Sequence, residues 1–257
     1  VVVQAQEGRL TTSPVRILVA TAVPAERDAV AGALPEPGGT PSPNPRDPEV
    51  RLPGVTLHRH GALDLLAAGV GPALAAASVS AALTAAALRG TPYGLVVSAG
   101  IAGGFAPAAP VGSLVLADEI TAADLGAETS DGFLPVTELG FGTVTHRPPG
   151  SLVREIAAVT GAPAGTVLTV STVTGTAARA AALRQAHPRA LAEAMEGFGV
   201  AEAAAAHGVP VLEIRAVSNP VGPRDRGAWR IGAALAALTE AFGKLTPFLE
   251  SWNPHDR

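Results

Sequence analysis

Along the chain, short apolar runs alternate with segments whose apolar positions recur at helical spacing. Val15 to Thr21 reads as a buried strand, and Pro24-Ala-Glu-Arg-Asp-Ala-Val then opens a helix whose early acidic residues suit the positive end of its dipole. Leu34 to Pro53, crowded with Pro and Gly and without periodicity, is expected to be a surface loop. Val55 to His60 and Leu63 to Ala68, parted by Gly61, predict a hairpin. His58 and His60 alternate along its first strand, and a solvated face is expected for them. Gly69-Val-Gly-Pro leads from the hairpin into an Ala-rich buried helix, Ala73 to Leu88.

The alternation continues. Leu95-Val-Val-Ser-Ala-Gly-Ile-Ala-Gly-Gly is an apolar strand ending in small residues, where backbone can approach a ligand closely, and it is read as a site wall. Ser113 to Ala122 is a further apolar run, and Leu125 to Pro149 is expected to be a long loop. Leu152 to Thr160 reads as helix, Gly165 to Val170 as strand and Ala177 to Ala186 as helix. Glu193 to Glu202 is read as running into a helix that stops near His207-Gly208. Val209 to Val217 is a buried strand closed by Ser218-Asn219-Pro220, and a terminal helix is expected from about Gly227 to Leu249. This order predicts an α/β fold around a central sheet. One domain over residues 15–250 is expected, with a loose N-terminal extension (1–14) and a short C-terminal tail (251–257).

Composition narrows the function classes. Hydrophobic residues make up 47% and charged residues 16% of the 257, which excludes a disordered chain. A net charge of −4 gives no electrostatic reason to bind nucleic acid. With no cysteine, disulfides, thiolate metal sites and cysteine nucleophiles are excluded, and a reducing cytoplasm fits. The longest apolar stretch, around Ala73 to Leu88, is interrupted by Ser78, Ser80 and Thr84, so no membrane span is expected. The six histidines are scattered without HExxH-like spacing, so neither a metal nor another cofactor is expected. No GxSxG elbow occurs, and Ser171-Thr-Val-Thr-Gly-Thr lacks the Lys of a phosphate loop.

What remains is polar residues at element ends: Glu26 after the first strand, Glu196 at a helix start, and Asn219 at the end of a buried strand. In open α/β sheets ligands bind at such strand ends. Taken singly, each also fits a plain structural use: Glu26 on a helix dipole, Glu196 in a first turn, Asn219 as a turn former before Pro220.

Their neighbours form a series. Pro24-Ala-Glu-Arg, Val97-Ser-Ala-Gly-Ile-Ala-Gly-Gly, Val111-Gly-Ser-Leu-Val-Leu-Ala-Asp-Glu, Ala194-Met-Glu-Gly and Ile214-Arg-Ala-Val-Ser-Asn, in that order, resemble the signature segments of methylthioadenosine nucleosidases and purine nucleoside phosphorylases. The resemblance implies a three-layer α/β/α sandwich around a mixed sheet, commonly homo-oligomeric. It places Glu26 on the attacking water, Glu196 on the ribose hydroxyls, Met195 against the sugar and Ser218-Asn219 at the leaving base. Ser98, Gly100 and Ile101 fall in its glycine segment. A carboxylate suits the ribose because it accepts from two adjacent hydroxyls.

Three departures refine the reading. Asn219 stands where the methylthioadenosine nucleosidases carry an Asp that protonates adenine; an amide that donates to one base atom and accepts from another suits a 6-oxopurine such as hypoxanthine. The hexameric phosphorylases carry an Arg where this chain has Ser98, which favours water over phosphate as nucleophile. The base-stacking aromatic of the nucleosidases is missing, since Thr174-Gly175-Thr176 is followed by Ala177-Ala178, and Phe105 or Phe198 is the substitute candidate. Finally, Ser218-Asn-Pro-Val-Gly-Pro-Arg-Asp-Arg-Gly-Ala-Trp-Arg-Ile resembles the futalosine hydrolases of menaquinone biosynthesis in particular. Their substrate carries a benzoate on its 5′ side, so Arg224 or Arg226 meets that carboxylate or is simply a solvated loop charge. The alternatives are another purine nucleosidase, a purine nucleoside phosphorylase, or a nucleoside-binding protein without turnover.

Overall fold

Ile17–Thr21 forms β1 with every residue buried, as expected of a central strand covered by helices on both faces. A computed structural model describes residues 15–34, 49–130 and 132–252. The expected N-terminal extension, most of the expected loop from Leu34 and most of the tail lie outside these residues.

In chain order, β1 is followed by α1 (Pro24–Ala31), β2 (Glu49–Leu52), β3 (Val55–His60), β4 (Leu63–Ala67), α2 (Pro72–Leu88), β5 (Leu95–Gly104) and β6 (Leu114–Ala122). Then come β7 (Gly126–Thr129), β8 (Gly132–Pro135), β9 (Thr145–His146), α3 (Gly150–Thr160), β10 (Ala164–Thr169) and α4 (Ala177–Ala186). β11 (Ala190–Ala194), α5 (Gly197–Ala206), β12 (Val211–Pro220) and α6 (Ile231–Ser251) complete the described chain. The main sheet runs β11-β10-β6-β12-β5-β1-β4-β3-β2, with β9 on β6. It is mixed: β12 is parallel to β5 and antiparallel to β6. The ends of β11 and β5 also pair, Ala192 with Gly104 and Glu193 with Gly103, which curls this half of the sheet into a ring.

Side-chain alternation divides the sheet between two cores. Val96, Ala102, Val211 and Val217 face α2 and α5, whereas Val97, Ala99, Leu212 and Ile214 face the layer that includes α1, α3 and α6. The expected α/β/α layering around a mixed sheet is therefore present. Among the described residues no helix is long and apolar enough to cross a membrane.

Several expectations need correction. Glu49–Leu52, read as loop, is strand β2, paired antiparallel with β3; its two exposed and two half-buried residues alternate, a pattern the surrounding Pro and Gly obscured. The loop expected from Leu125 to Pro149 contains the β7–β8 hairpin and β9. Ala190–Ala194 is a strand, and the helix read from Glu193 begins only at Gly197. Alanine is a good helix former, but burial of the ALAEA run between neighbouring strands overrides its propensity. Ser218 and Asn219 lie within β12, and a short 3-10 turn, Arg226–Ala228, precedes α6. His58, expected on a solvated face, is half-buried with Nε2 3.0 Å from Arg27 Nη1.

Candidate active site

β1 stops at Thr21 while its neighbour β5 continues to Gly104, and the register between them ends at Ala20 with Ser98. Past that point the β1-side edge of β5 is open, and Glu26 from the first turn of α1 fills it. The Ile101 N–H donates to Glu26 Oε1 at 2.8 Å, and the Ala22 and Val23 N–H groups donate to Oε2 at 2.9 and 3.2 Å. Three backbone donors hold this buried carboxylate in one orientation.

On the α5-facing side of the sheet, four positions in register break the apolar surface. Ser98 is level with Glu213 and Gly100 with Arg215, between Val96 and Val211 below and Ala102 and Val217 above. Arg215 is 1% exposed. Its Nε donates to Glu213 Oε1 at 2.8 Å, its Nη2 donates to Ser98 Oγ at 3.0 Å, and its Nη1 lies 3.5 Å from Glu196 Oε2. Burial opposes the charge of Arg215, and the fields of Glu213, Glu196 and Glu26 outweigh it, so its pKa is raised. Ser98, expected at the substrate, has its hydroxyl engaged with this guanidinium.

Gly100 is the space between the two charge centres. A Cβ there would stand 2.6 Å from Glu26 Oε1 and 2.7 Å from Arg215 Nη1. Only glycine lets the carboxylate and the guanidinium converge at this point of the sheet.

Glu196 immediately precedes the first residue of α5 and is buried. Its Oε1 accepts from the Gly71 N–H at 3.2 Å, across the turn between β4 and α2. The backbones of α2 and α5 approach closely because Gly199 lies against the Pro72 carbonyl, leaving no room for a Cβ. Met195, half-buried, precedes Glu196 in the turn from β11 to α5.

The base-side candidates lie in one row across three strands: Glu193 on β11 and Asn219 on β12 both register with Gly103 on β5. Ser218 Oγ donates to Asn219 Oδ1 at 2.8 Å, and Asn219 Nδ2 donates to the Pro220 carbonyl at 3.1 Å. Glu193 is buried and accepts from the Thr174 N–H at 2.8 Å and from its hydroxyl at 2.6 Å. Burial pushes the Glu193 carboxyl up, against these two hydrogen bonds. The pair holds the Thr174-Gly175-Thr176 segment to the strand ends.

The two aromatic candidates part company. Phe105 is buried beside a cleft of about 460 Å³ lined by Ala177, Ala180, Val221 and Arg184, just beyond Asn219 in the sheet. Phe198 is on α5, its ring 5.4 Å from His146, beside a pocket of about 280 Å³ that reaches Pro72 and Glu202. Arg224 is exposed, with its guanidinium 5.6 Å from the Trp229 ring. The Arg230 N–H donates to the Ser218 carbonyl at 2.8 Å, which ties the start of α6 to the site strand. Arg226 lies exposed in the 3-10 turn between Arg224 and Arg230.

Sequence reading missed Arg215, Glu213 and Glu193 as members of this cluster. The signal for the first two was present: two opposite charges two residues apart in an otherwise apolar strand must share one buried face, where charges occur only when paired.

The model of the phosphorylase superfamily matches residues 52–246. A futalosine hydrolase from Streptomyces coelicolor is 75% identical over 242 residues, covering 94% of this chain and 99% of that protein. One from Acidothermus cellulolyticus is 46% identical over 240 residues, 90% of each chain. Among solved structures, an S-adenosylhomocysteine nucleosidase from Streptococcus pyogenes superposes with a TM-score of 0.74 at 20% identity, over 95% of this chain and 99% of that one. The futalosine hydrolase of Helicobacter pylori superposes with a TM-score of 0.71 at 16% identity, over 91% and 98%. Both structures share the fold. The chain belongs to the phosphorylase superfamily and, within it, to the futalosine hydrolase family.

Proposed function

We propose that this protein hydrolyses the N-glycosidic bond of futalosine, releasing hypoxanthine. The observation that carries the reading is the convergence of Glu26 and Arg215 on the space beside Gly100, with buried Glu196 3.5 Å from the same guanidinium. Its support from relatives is the 75% identity to the Streptomyces enzyme over almost the whole of that protein.

In this reading Glu26 accepts a proton from water as it attacks the anomeric carbon, and Arg215 orients that water from the other side of Gly100. Glu196 accepts from the ribose hydroxyls, and Met195 packs on the sugar. The sugar gains positive charge as the bond to the base breaks, so the surrounding carboxylates stabilise it more as the reaction proceeds. Gly100 and Ile101 supply the backbone wall. Asn219, steadied by Ser218, pairs with the 6-oxopurine as it leaves, and Phe105 rather than Phe198 borders the base, since it shares the Asn219 end of the sheet. Arg224, set over Trp229, meets the carboxylate on the 5′ side of the substrate.

The protein acts as a homo-oligomer in the cytoplasm. Exposed Val70, Leu74 and Leu125 around the Phe198 pocket are the apolar surface that an oligomer would cover.

The deciding experiment is chromatography of products from futalosine, inosine and methylthioadenosine, each with and without phosphate. Hypoxanthine from futalosine without phosphate is expected. Adenine release, or a requirement for phosphate, would overturn the assignment.

A further inference from the structure

Of the carboxylates around Arg215, Glu213 is the one for which the proposed chemistry has no use. It is fully buried, one oxygen accepts from Arg215 Nε at 2.8 Å, and the other has no hydrogen-bond partner. Its carboxylate lies against Gly197, the first residue of α5, so closely that a Cβ on Gly197 would fall on both oxygens. A buried carboxylate with an unsatisfied oxygen is costly to keep, so its contribution must be sought in what it does to its neighbour.

The distances around Arg215 are unequal in an informative way. The short ion pair, 2.8 Å, goes to Glu213, and the pair with Glu196 is stretched to 3.5 Å. Glu26 takes its hydrogen bonds from three backbone N–H groups. Arginine presents five donors in a rigid fork and readily forms two parallel bonds with one carboxylate. A guanidinium free to move would close on Glu196 or Glu26 and consume the oxygens that the site needs for ribose and water. With Nε held by Glu213 and Nη2 by Ser98, the fork cannot turn, and Nη1 alone points toward the site.

We infer that Glu213 is a positioning residue that keeps Arg215 from closing into short hydrogen-bonded pairs with Glu26 and Glu196, leaving the Glu196 pair stretched and both carboxylates able to reach substrate. The inference builds on the proposed roles of those two residues. The charged groups facing Glu213 are Arg215 on its own strand, Glu196 at the start of α5 and, beyond the guanidinium, Glu26 from α1. Three carboxylates share one arginine, so removing Glu213 changes which of the other two it neutralises.

The test compares Glu213→Gln and Glu213→Ala, alone and combined with Arg215→Met, by crystal structure and by kcat, KM and their pH profiles on futalosine. Glutamine preserves the shape beneath Gly197, so it reports even where alanine fails to fold. In either single variant Arg215 Nη1 is expected within direct hydrogen-bond distance of Glu196 or Glu26. The kinetic expectation is a loss of about tenfold or more in kcat/KM, a shifted pH profile, and little further loss from Glu213→Gln once Arg215 is Met. An unmoved guanidinium would overturn the inference, and so would losses that add independently of Arg215, which is the behaviour of a group that merely fills space. The crystallographic result stands apart from substrate identity: a wild-type protein inactive on futalosine would sink the proposed function and leave the arginine's position to decide this inference.

Discussion

Glu26 Oε1 and Arg215 Nη1 converge on the space where a Cβ of Gly100 would stand, one from the first turn of α1 and the other from the middle of β12. Neither element could place both groups alone. The convergence depends on β1 ending early, on β5 running on, and on one residue between them having no side chain. Gly100→Ala is therefore expected to abolish turnover. The new methyl would stand within 3 Å of both groups, and the displaced carboxylate would lose its bond from Ile101. Steady-state assays with a thermal melt separate the outcomes; full activity in this variant would show that the convergence is not where catalysis occurs.

Glu26→Gln isolates the proton-accepting role. The amide fills the same space and keeps at least one bond from the backbone, but it cannot take a proton from water. A fall in kcat of about a hundredfold or more, with KM nearly unchanged, is expected. A binding measurement with the unreactive variant completes the check. Retained binding with lost turnover supports a general base, whereas loss of both would make Glu26 a binding group.

Much of this arrangement was legible in the sequence, and the limits have physical causes. Glu26, Glu196 and Asn219 sit at the ends of elements, which singly fits plain structural uses; the ordered family-like segments around them are what mark them out. Arg215 and Glu213 were passed over because Val209 to Val217 was read as uniformly buried, although a charged pair inside such a strand is itself a signal. Glu193 and Ala194 fall in a segment whose composition is helical, and pairing with β10 and β5, contacts between residues far apart in sequence, makes Ala190–Ala194 a strand. The β7–β8 hairpin was lost among glycines and prolines for the opposite reason. Its strands are short, and composition outweighed pattern.

Asn219→Asp tests the base preference. The Ser218 hydroxyl would still donate to the new carboxylate, as it does to Asn219 Oδ1, while the amide bond to the Pro220 carbonyl and the donor proposed for the base are both lost. Slower release of hypoxanthine from futalosine is expected, together with some cleavage of an adenine nucleoside, because an acid can protonate the poorer leaving group. Product ratios from a mixed-substrate assay decide it. An unchanged preference would remove Asn219 from the specificity argument.

A cluster far from the site should govern stability instead. Asp64 is buried, accepts from the Tyr93 hydroxyl and pairs with Arg16, whose guanidinium also lies 4.5 Å from the Tyr93 ring centroid. Burial and the neighbouring Asp64 carboxylate raise the Tyr93 pKa, so the phenol stays protonated and donates. The three tie the start of β1 to β4 and to the entry of β5. Asp64→Ala leaves the buried Tyr93 hydroxyl without its acceptor and Arg16 with its bonds to Thr91 but no carboxylate, and is expected to destabilise the fold by about 2 kcal/mol, with kcat per folded molecule unchanged. Denaturant unfolding beside an activity assay distinguishes this from a catalytic effect.

At low pH a different contact becomes the test. The hydrogen bond from Arg147 to Glu119 Oε1, with a further one from Thr166 to Oε2, holds the Glu119 carboxyl below its ordinary value of 4.5, against the opposing effect of burial. A carboxylate whose pKa is depressed on folding binds fewer protons in the native than in the unfolded state. Its stabilisation is therefore complete above the unfolded value and is lost as pH falls through the folded one. Arg147 is largely exposed, so solvent and salt screen the pair and its contribution should stay below about 1 kcal/mol. Glu119→Gln is expected to lower Tm slightly at neutral pH and to flatten its decline below pH 4.5 relative to the unaltered protein. Parallel acid limbs for the two proteins would show that Glu119 carries no net stabilisation, and that β6 and β10 are held together by strand pairing alone.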